Sequence, residues 1–326
     1  MLLSIIIPVY NLELYIRPCL NSIYAQNADT SLFQIVAIDD GSSDGSLSIL
    51  REYSAKYGNI EIITQQNAGV SVARNRGLDK SVGEYVTFLD GDDFLCDDSL
   101  KEVLDVIQKE SKADIFYTKR KTLDGDRLSN SFSYSYICGE LYNTKQLRPG
   151  WFINGGSMCG AFYRKNVLSD NGISFDSRIR NGEDTLLCYR LLTCNLSVCF
   201  VDVYFYTIRV REGSASRSAD VTKAYNFKNN FSYIKEFLDG NELSREQIAV
   251  MHQAVYHLFG NMAALYSHTG ELKIGSLINS VGIKSLLPLD VQFMDKRYKR
   301  KIQLLNFSPY LFVLLGCIKH RKERQV

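Results

Sequence analysis

Three groups of acids in this chain are spaced for chemistry. Asp90-x-Asp92, followed at once by Asp93, stands after an apolar run and before Phe94-Leu95. Two carboxylates that close on a tight turn can hold a Mg²⁺ or Mn²⁺ ion, whose shell is then completed by phosphate oxygens and water. Such a turn is also what caps a following helix, with Asp97, Asp98 or Ser99 as N-cap, so the motif gains meaning only from its company. That company is Asp39-Asp40 inside Asp39-Asp-Gly-Ser-Ser-Asp-Gly45, the aromatic pair-mate Tyr10-Asn11, and Glu183-Asp184 much later in the chain.

The elements that must carry these residues alternate between strand and helix. Leu2–Val9 is apolar apart from Ser4 and Pro8, the pattern of a strand covered on both faces. Leu12, Tyr15, Ile16, Cys19, Leu20 and Ile23 then recur at helical spacing, and Pro18 puts the helix start near Leu14. Phe33–Asp39, Ile60–Thr64 and Glu84–Asp90 read as further strands, with helices marked by Leu47, Leu50, Tyr53 and Tyr57 and by Leu100, Val103, Leu104 and Ile107. This alternation predicts an α/β fold with a mostly parallel, doubly wound sheet and helices on both faces. In such sheets ligands bind beyond the carboxyl ends of the strands. Those ends are Pro8–Asn11, Asp39–Gly45 and Asp90–Asp93, so one rim collects an aromatic ring, a double and a triple carboxylate. Beyond residue 130, Tyr134–Tyr142 and Ser197–Tyr206 read as strands, and Glu183–Leu192 as a helix. A helical stretch over 222–270 follows, with the stripe Ile248, Met251, Val255, Leu258, Phe259, Met262 and Leu265. His252 and His257, five apart, do not share a helix face as a zinc pair would.

Composition narrows the class. The 326 residues are 45% hydrophobic and 23% charged, which is globular and excludes a disordered or collagen-like chain. Eight cysteines show no C-x-x-C or metal-finger spacing, and the N-terminus shows no signal-peptide pattern; both point to free thiols in a reducing, cytoplasmic compartment. Net charge is +2, which asks for no nucleic acid, but it is unevenly spread. Residues 296–326 hold nine Lys/Arg against Glu323 alone, +8, leaving 29 cations and 35 acids on the other residues, −6.

Four segments occur in order: Ser4-Ile-Ile-Ile-Pro-Val-Tyr-Asn11, Ile38-Asp-Asp-Gly-Ser-Ser-Asp-Gly-Ser46, Gln66-Asn-Ala-Gly-Val-Ser-Val-Ala-Arg-Asn-Arg-Gly77 and Gly83-Glu-Tyr-Val-Thr-Phe-Leu-Asp-Gly-Asp-Asp93. Together they resemble the family 2 glycosyltransferases of GT-A fold, inverting enzymes that use sugar nucleotides. The resemblance runs strongly over residues 2–118 and continues through Phe175-Asp-Ser-Arg-Ile-Arg-Asn-Gly-Glu-Asp184 to about Ser216. It implies a GT-A domain over 1–218, followed by a helical C-terminal region over 219–326. It further implies that Tyr10 stacks on a pyrimidine base, that Asp40 accepts from uracil N3–H while Asp39 orders the loop, and that Pro8, Asn67 and Arg74 join them at the nucleotide. Asp90 would lie by the ribose and diphosphate, and Arg211 at the diphosphate within a late segment that includes Arg209, Ser214 and Ser216. Asp92, with Asp93 second, would hold Mg²⁺ or Mn²⁺. Asp184 would be the base that takes the acceptor hydroxyl proton, in a helix whose first turn its charge also favours. Trp151, Gly155 and Gly156 fall where acceptor contacts could lie.

The expected reaction is transfer of one sugar from a nucleotide-sugar donor, a UDP-sugar, to an acceptor hydroxyl, the acceptor being a lipid-linked glycan of surface-polysaccharide synthesis. A nucleotidyltransferase of similar sheet would place a Gly-rich phosphate loop after the first strand, where Pro8-Val9-Tyr10-Asn11 stands instead. A non-catalytic carbohydrate or lipid-surface module would not need Asp92 and Asp184. The tail adds a membrane expectation. Lys296, Arg297, Lys299, Arg300 and Lys301 precede the apolar run Tyr310–Ile318, and Lys319, Arg321, Lys322 and Arg324 follow it. No run approaches the roughly 18 residues of a bilayer span. An apolar run flanked by cations can instead lie in the interface of an anionic leaflet, giving a peripheral membrane protein.

Overall fold

The computed structural model of the chain describes residues 1–110, 112–132, 136–147, 158–211, 220–268, 273–291 and 296–323. They belong to two compact units. The first comprises Met1–Gln146, Ser157–Ser177 and Cys194–Arg211; the second comprises Leu147–Gly156, Arg178–Thr193 and Glu212–Val326. This division is interleaved, unlike a single cut at residue 218, because the helix that opens at Glu183 packs on the long helix Arg245–His268.

In the first unit β1 (Leu3–Val9) and β2 (Phe33–Asp39) are buried at every position, as unbroken apolar strands require. Helix α1 (Glu13–Tyr24) joins them, α2 (Ser46–Lys56) leads on to β3 (Ile60–Thr64), and α3 (Val70–Lys80) to β4 (Tyr85–Phe88). These strands form the parallel part of the sheet, in the order β3-β2-β1-β4. Helix α3 lies against β1 and β2 because Gly77 has no side chain. A Cβ there would stand 2.3 Å from Ile6 Cγ2 and 2.9 Å from Ile38 Cδ1.

Past β4 the sheet is mixed rather than mostly parallel. The two-residue β5 (Phe94–Leu95) and α4 (Ser99–Lys109) precede β6 (Ile115–Asp124), β7 (Arg127–Phe132) and β8 (Leu141–Asn143). Strand β9 (Ala161–Arg164) then inserts antiparallel between β4 and β6, ahead of α5 (Lys165–Asp170). The last strand, β10 (Ser197–Val210), runs parallel to β6 and antiparallel to β5 and β8. The inserted strand has only four residues, too few for a period-2 signal to stand out. Of the strand expected over Tyr134–Tyr142, only residues 141–142 lie in β8, and residues 133–135 are outside those described. Strand β10 runs four residues beyond Tyr206, and that extension carries Arg209 to the rim described below.

The second unit is helical in its described part: α6 (Glu183–Thr193), α7 (Val221–Asn226), α8 (Lys228–Asp239), α9 (Arg245–His268), α10 (Ile274–Val281), α11 (Lys296–Phe307) and α12 (Pro309–Glu323). Met251, Val255, Leu258, Phe259 and Met262 of the predicted stripe are buried. Asn229 Nδ2 donates to Arg178 O at 2.6 Å and Asn230 Nδ2 to Asn181 O at 3.0 Å, so α8 fixes the loop that leads into α6. Gly182 closes that loop at φ +76, where a Cβ would meet Leu258 Cδ2 at 2.7 Å. His252 and His257 point to different partners. His252 Nδ1 accepts from Asp290 N at 2.8 Å, and His257 Nδ1 lies 3.5 Å from the Tyr189 hydroxyl.

Candidate functional site

The rim beyond β1 and β2 is built from short polar side chains that replace missing backbone partners. Asn11 sits at φ +53, a left-handed setting that Asn tolerates better than most residues. Its Oδ1 accepts from Ser43 N at 2.8 Å, and its own N–H donates to Ser42 Oγ at 3.1 Å. Leu12 N donates to Ser46 Oγ at 2.8 Å, Glu13 N to Asp44 Oδ2 at 3.0 Å, and Gly45 N to Glu13 Oε2 at 2.9 Å. The loop after β1 is thus stitched to the loop after β2. Pro8 is buried within β1, opposite Ile38, while Tyr10 stands 49% exposed on the stitched edge. A flat aromatic face held this way can receive a nucleobase.

The neighbouring acids divide their work differently from the sequence expectation. Asp40 is the loop organiser: its Oδ1 accepts from Gln65 Nε2 at 2.6 Å and Ala68 N at 2.8 Å, and its Oδ2 from Gly69 N at 2.8 Å. Asp39, expected in that role, is buried with an Oδ1 that has no hydrogen-bond partner. Gln65 in turn accepts from Arg76 Nη1 at 3.2 Å, and Asn67 is exposed in the loop that Asp40 holds. A carboxylate offers about four acceptor positions, so Asp40 retains one beyond the three that the loop uses.

The acidic turn after β4 is clasped from α3 and β10. Arg74, almost wholly buried, donates Nη2 to Asp90 Oδ1 at 2.7 Å and places its guanidinium 5.5 Å from the centre of the Phe175 ring. Cys159 Sγ lies 3.7 Å from the other oxygen of Asp90. The buried Tyr206 hydroxyl accepts from Asp90 N at 3.2 Å and donates to Asp93 Oδ2 at 2.6 Å, and Arg209 N donates to Asp93 Oδ1 at 2.7 Å. Burial, reinforced by the charges of Asp90 and Asp92, pushes the Asp93 carboxyl up to about 8. With both oxygens accepting from the protein, Asp93 anchors the turn, and service as a second metal ligand would have to displace one of these bonds. Arg211 Nε pairs with Asp92 Oδ2 at 2.7 Å, and among the described residues no hydrogen bond is made to Asp92 Oδ1. Both late arginines stack on Tyr15, Arg209 at 5.7 Å and Arg211 at 5.0 Å, and Arg209 also lies 5.1 Å from the Phe94 ring centre.

Among the described residues no group of three or more His, Cys, Asp or Glu could by itself enclose a metal ion. Mg²⁺ and Mn²⁺ ask for less, since one or two carboxylates suffice when a substrate supplies phosphate oxygens. Asp92, at a partly exposed turn with no hydrogen bond to its Oδ1 among the described residues, and Asp90 beside it fit that kind of shared site.

Asp184 belongs to the second unit, in the first turn of α6. Its Oδ1 accepts from Thr185 N at 2.6 Å and Thr185 Oγ at 3.3 Å. Burial holds His257 below the usual imidazole range, and the Asp184 charge opposes that shift. Trp151, Gly155, Gly156, Ser214 and Ser216 lie outside the described residues. The first unit thus gathers Pro8, Tyr10, Asp39, Asp40, Asn67, Arg74, Asp90, Asp92, Asp93 and Arg211 about the carboxyl ends of its strands. Sequence reasoning passed over Tyr15, Gln65 and Tyr206. None of them left a signal, since Tyr206 is one of four aromatic residues in β10.

Comparison with known proteins agrees with this geometry. The family model described as glycosyl transferase family 2 matches residues 4–172. The glycosyltransferase GlyA of Streptococcus pneumoniae is 32% identical over 230 residues, which covers 66% of this chain and 31% of GlyA. The minor teichoic acid biosynthesis protein GgaB of Bacillus subtilis is 30% identical over 245 residues, 72% of this chain and 26% of GgaB. The chain therefore spans about a third or less of the length of these relatives. Among solved structures, S. aureus TarS 1-349 in complex with UDP-GlcNAc superposes with a TM-score of 0.74 at 23% identity, covering 99% of this chain and 92% of that one. At that identity the likeness establishes a shared fold.

Proposed function

The chain belongs to glycosyl transferase family 2, and from that membership we propose that it moves one sugar, with inversion, from a UDP-sugar to an acceptor hydroxyl. One observation carries the proposal: a stacking ring, a carboxylate acceptor, two buried or half-buried arginines and an acidic turn stand together at the carboxyl ends of one sheet. Tyr10 stacks on the uracil, and the unused acceptor position of Asp40 takes its N3–H. Arg74 holds Asp90 in place for the ribose and first phosphate. Arg211 can exchange Asp92 for the diphosphate, which carries more charge. Mg²⁺ or Mn²⁺, held by Asp92 with Asp90, would neutralise charge on the departing diphosphate. Asp184 is proposed as the acceptor-side base, on the motif that it shares with the family and on its place at a helix N-terminus. An inverting displacement then needs no covalent intermediate.

The acceptor class proposed is a lipid-linked glycan in surface-polysaccharide or teichoic acid synthesis, supported by the teichoic acid relative and by the basic C-terminal stretch. The reaction would run at the cytoplasmic membrane face, with the protein peripheral to it. A screen of nucleotide sugars with the purified chain, reading nucleoside diphosphate release with Mn²⁺ and with EDTA, tests the reading. A UDP-sugar should be turned over, and only with the metal. Pyrophosphate release from a nucleoside triphosphate and a sugar phosphate, with no turnover of any sugar nucleotide, would instead identify a nucleotidyltransferase.

A further inference from the structure

We propose that the elbow between α11 and α12 is an insertion element for anionic membranes, with Phe307, Leu311, Leu315 and Ile318 entering the acyl boundary and the neighbouring cations binding headgroups. This deepens the membrane part of the proposed function and rests on that reading. Helix α12 has two apolar faces. One is packed: Val313 and Cys317 are buried, and Phe312 meets the rings of Tyr256 and Phe259 at 6.2 and 5.5 Å. The other is bare. Leu311, Leu315 and Ile318, spaced to share one helical face, are 38%, 52% and 43% exposed, and Tyr310 beside them is 45% exposed. Phe307, at the bend, is 81% exposed. Five of the twelve exposed large apolar residues among those described therefore fall within residues 307–318. Scattered single apolar residues on a surface need no account, but a concentrated patch does.

Charge selects the occupant. Residues 296–326 carry +8 and the remainder −6. Arg300 and Lys301 are exposed on α11, with the half-exposed Lys299 next to them. A second copy seated on this face would bring +8 against +8, whereas an anionic leaflet is attracted by each cation near its surface. The two helices, Tyr298–Phe307 and Pro309–Ile318, are bent by 120°, and neither is long and apolar enough to cross a bilayer. An apolar helix face with basic flanks, too short to span, lies in the interface at a depth of roughly 5–10 Å.

The test is co-sedimentation of the full chain with vesicles of phosphatidylcholine, alone or mixed with phosphatidylglycerol. Wild type should partition to the mixed vesicles and release at high salt. Phe307→Ser should weaken partitioning about tenfold, and Leu311→Ser with Leu315→Ser by more, because each large apolar side chain withheld from water counts for about that factor. Arg300→Gln and Lys301→Gln should each cost roughly fivefold at low salt, and nothing on neutral vesicles. All of these residues are exposed, so circular dichroism should match wild type. Partitioning unchanged in the serine variants would overturn the proposal. So would a wild-type dimer without vesicles that Phe307→Ser dissociates while vesicle binding persists, since the face would then belong to a second copy. UDP binding is measured in parallel by calorimetry. Its absence in wild type would sink the catalytic reading alone, and the vesicle result would still decide the elbow.

Discussion

Replacing Tyr206 by Phe removes one oxygen from a buried site and should loosen the whole acidic turn. The hydroxyl satisfies two groups: it donates to Asp93 Oδ2 at 2.6 Å and accepts from Asp90 N at 3.2 Å. Leaving a buried polar group without its partner costs about 1–3 kcal/mol. The Asp93 bond is short, and the Asp90 bond is long and worth less, so the loss should total about 2–4 kcal/mol. Hydrogen exchange should show it locally, as lost protection in β4, β5 and β10, together with a lower urea midpoint. Asp93→Asn should cost somewhat less, since the amide oxygen can still accept one of the two protein donors. The double variant should fall short of the sum by about 1 kcal/mol, because the residues share one bond. Metal-dependent UDP binding should survive Asp93→Asn, because that carboxyl faces the protein. A Tyr206→Phe protein within about 0.5 kcal/mol of wild type would refute the anchoring role. Loss of metal dependence in Asp93→Asn at full stability would return that residue to the metal.

Asp92→Asn should do the reverse: stability stays near wild type while donor turnover and metal-dependent UDP affinity collapse, by calorimetry with and without Mn²⁺. Asp184→Asn should leave UDP binding intact and slow transfer by on the order of 10²–10⁴, the usual worth of a positioned base, in a product-release assay. Gly77→Ala should destabilise by about 1–2 kcal/mol in urea, because crowding Ile6 and Ile38 costs more than the roughly 1 kcal/mol that Ala gains in a helix; a stabilised variant would show that α3 can lift from the sheet. Stability should also fall on acidification. Burial keeps His252 and His257 below the usual imidazole range, so the unfolded chain binds protons first. The contribution is complete above about pH 6.5 and declines as pH drops below it; His257→Gln should flatten that part of a pH series of urea midpoints.

The rim was legible in the sequence because its strands are self-evident. Leu3–Val9 and Phe33–Asp39 are apolar at most positions, so their carboxyl ends could be located to the residue, and Tyr10 and Asp40 with them; the strand expected over Glu84–Asp90 ends at Phe88 instead. What escaped is contact at long range. The partners of Asp93, Tyr206 and the Arg209 amide, lie 113 and 116 residues away and come from a strand whose extension past Tyr206 no periodicity announced. Adjacent acids of equal type, Asp39 and Asp40, cannot be told apart until the 65–69 loop chooses one. The four-residue β9 was silent for lack of length, and with it the change from a parallel to a mixed sheet.

The stitching between the loops after β1 and β2 bears on how the site can fluctuate. Each of the amides of Asn11, Leu12, Glu13, Ser43 and Gly45 is satisfied by a side chain from the opposite loop. Neither loop can open by itself without stranding donors of the other, so the two should breathe as a single cooperative unit. Substitution carries across in the same way: a change at Asn11 or Ser46 removes a partner from the facing segment. A nucleobase stacked on Tyr10, as proposed, would meet an edge whose two loops are already tied together.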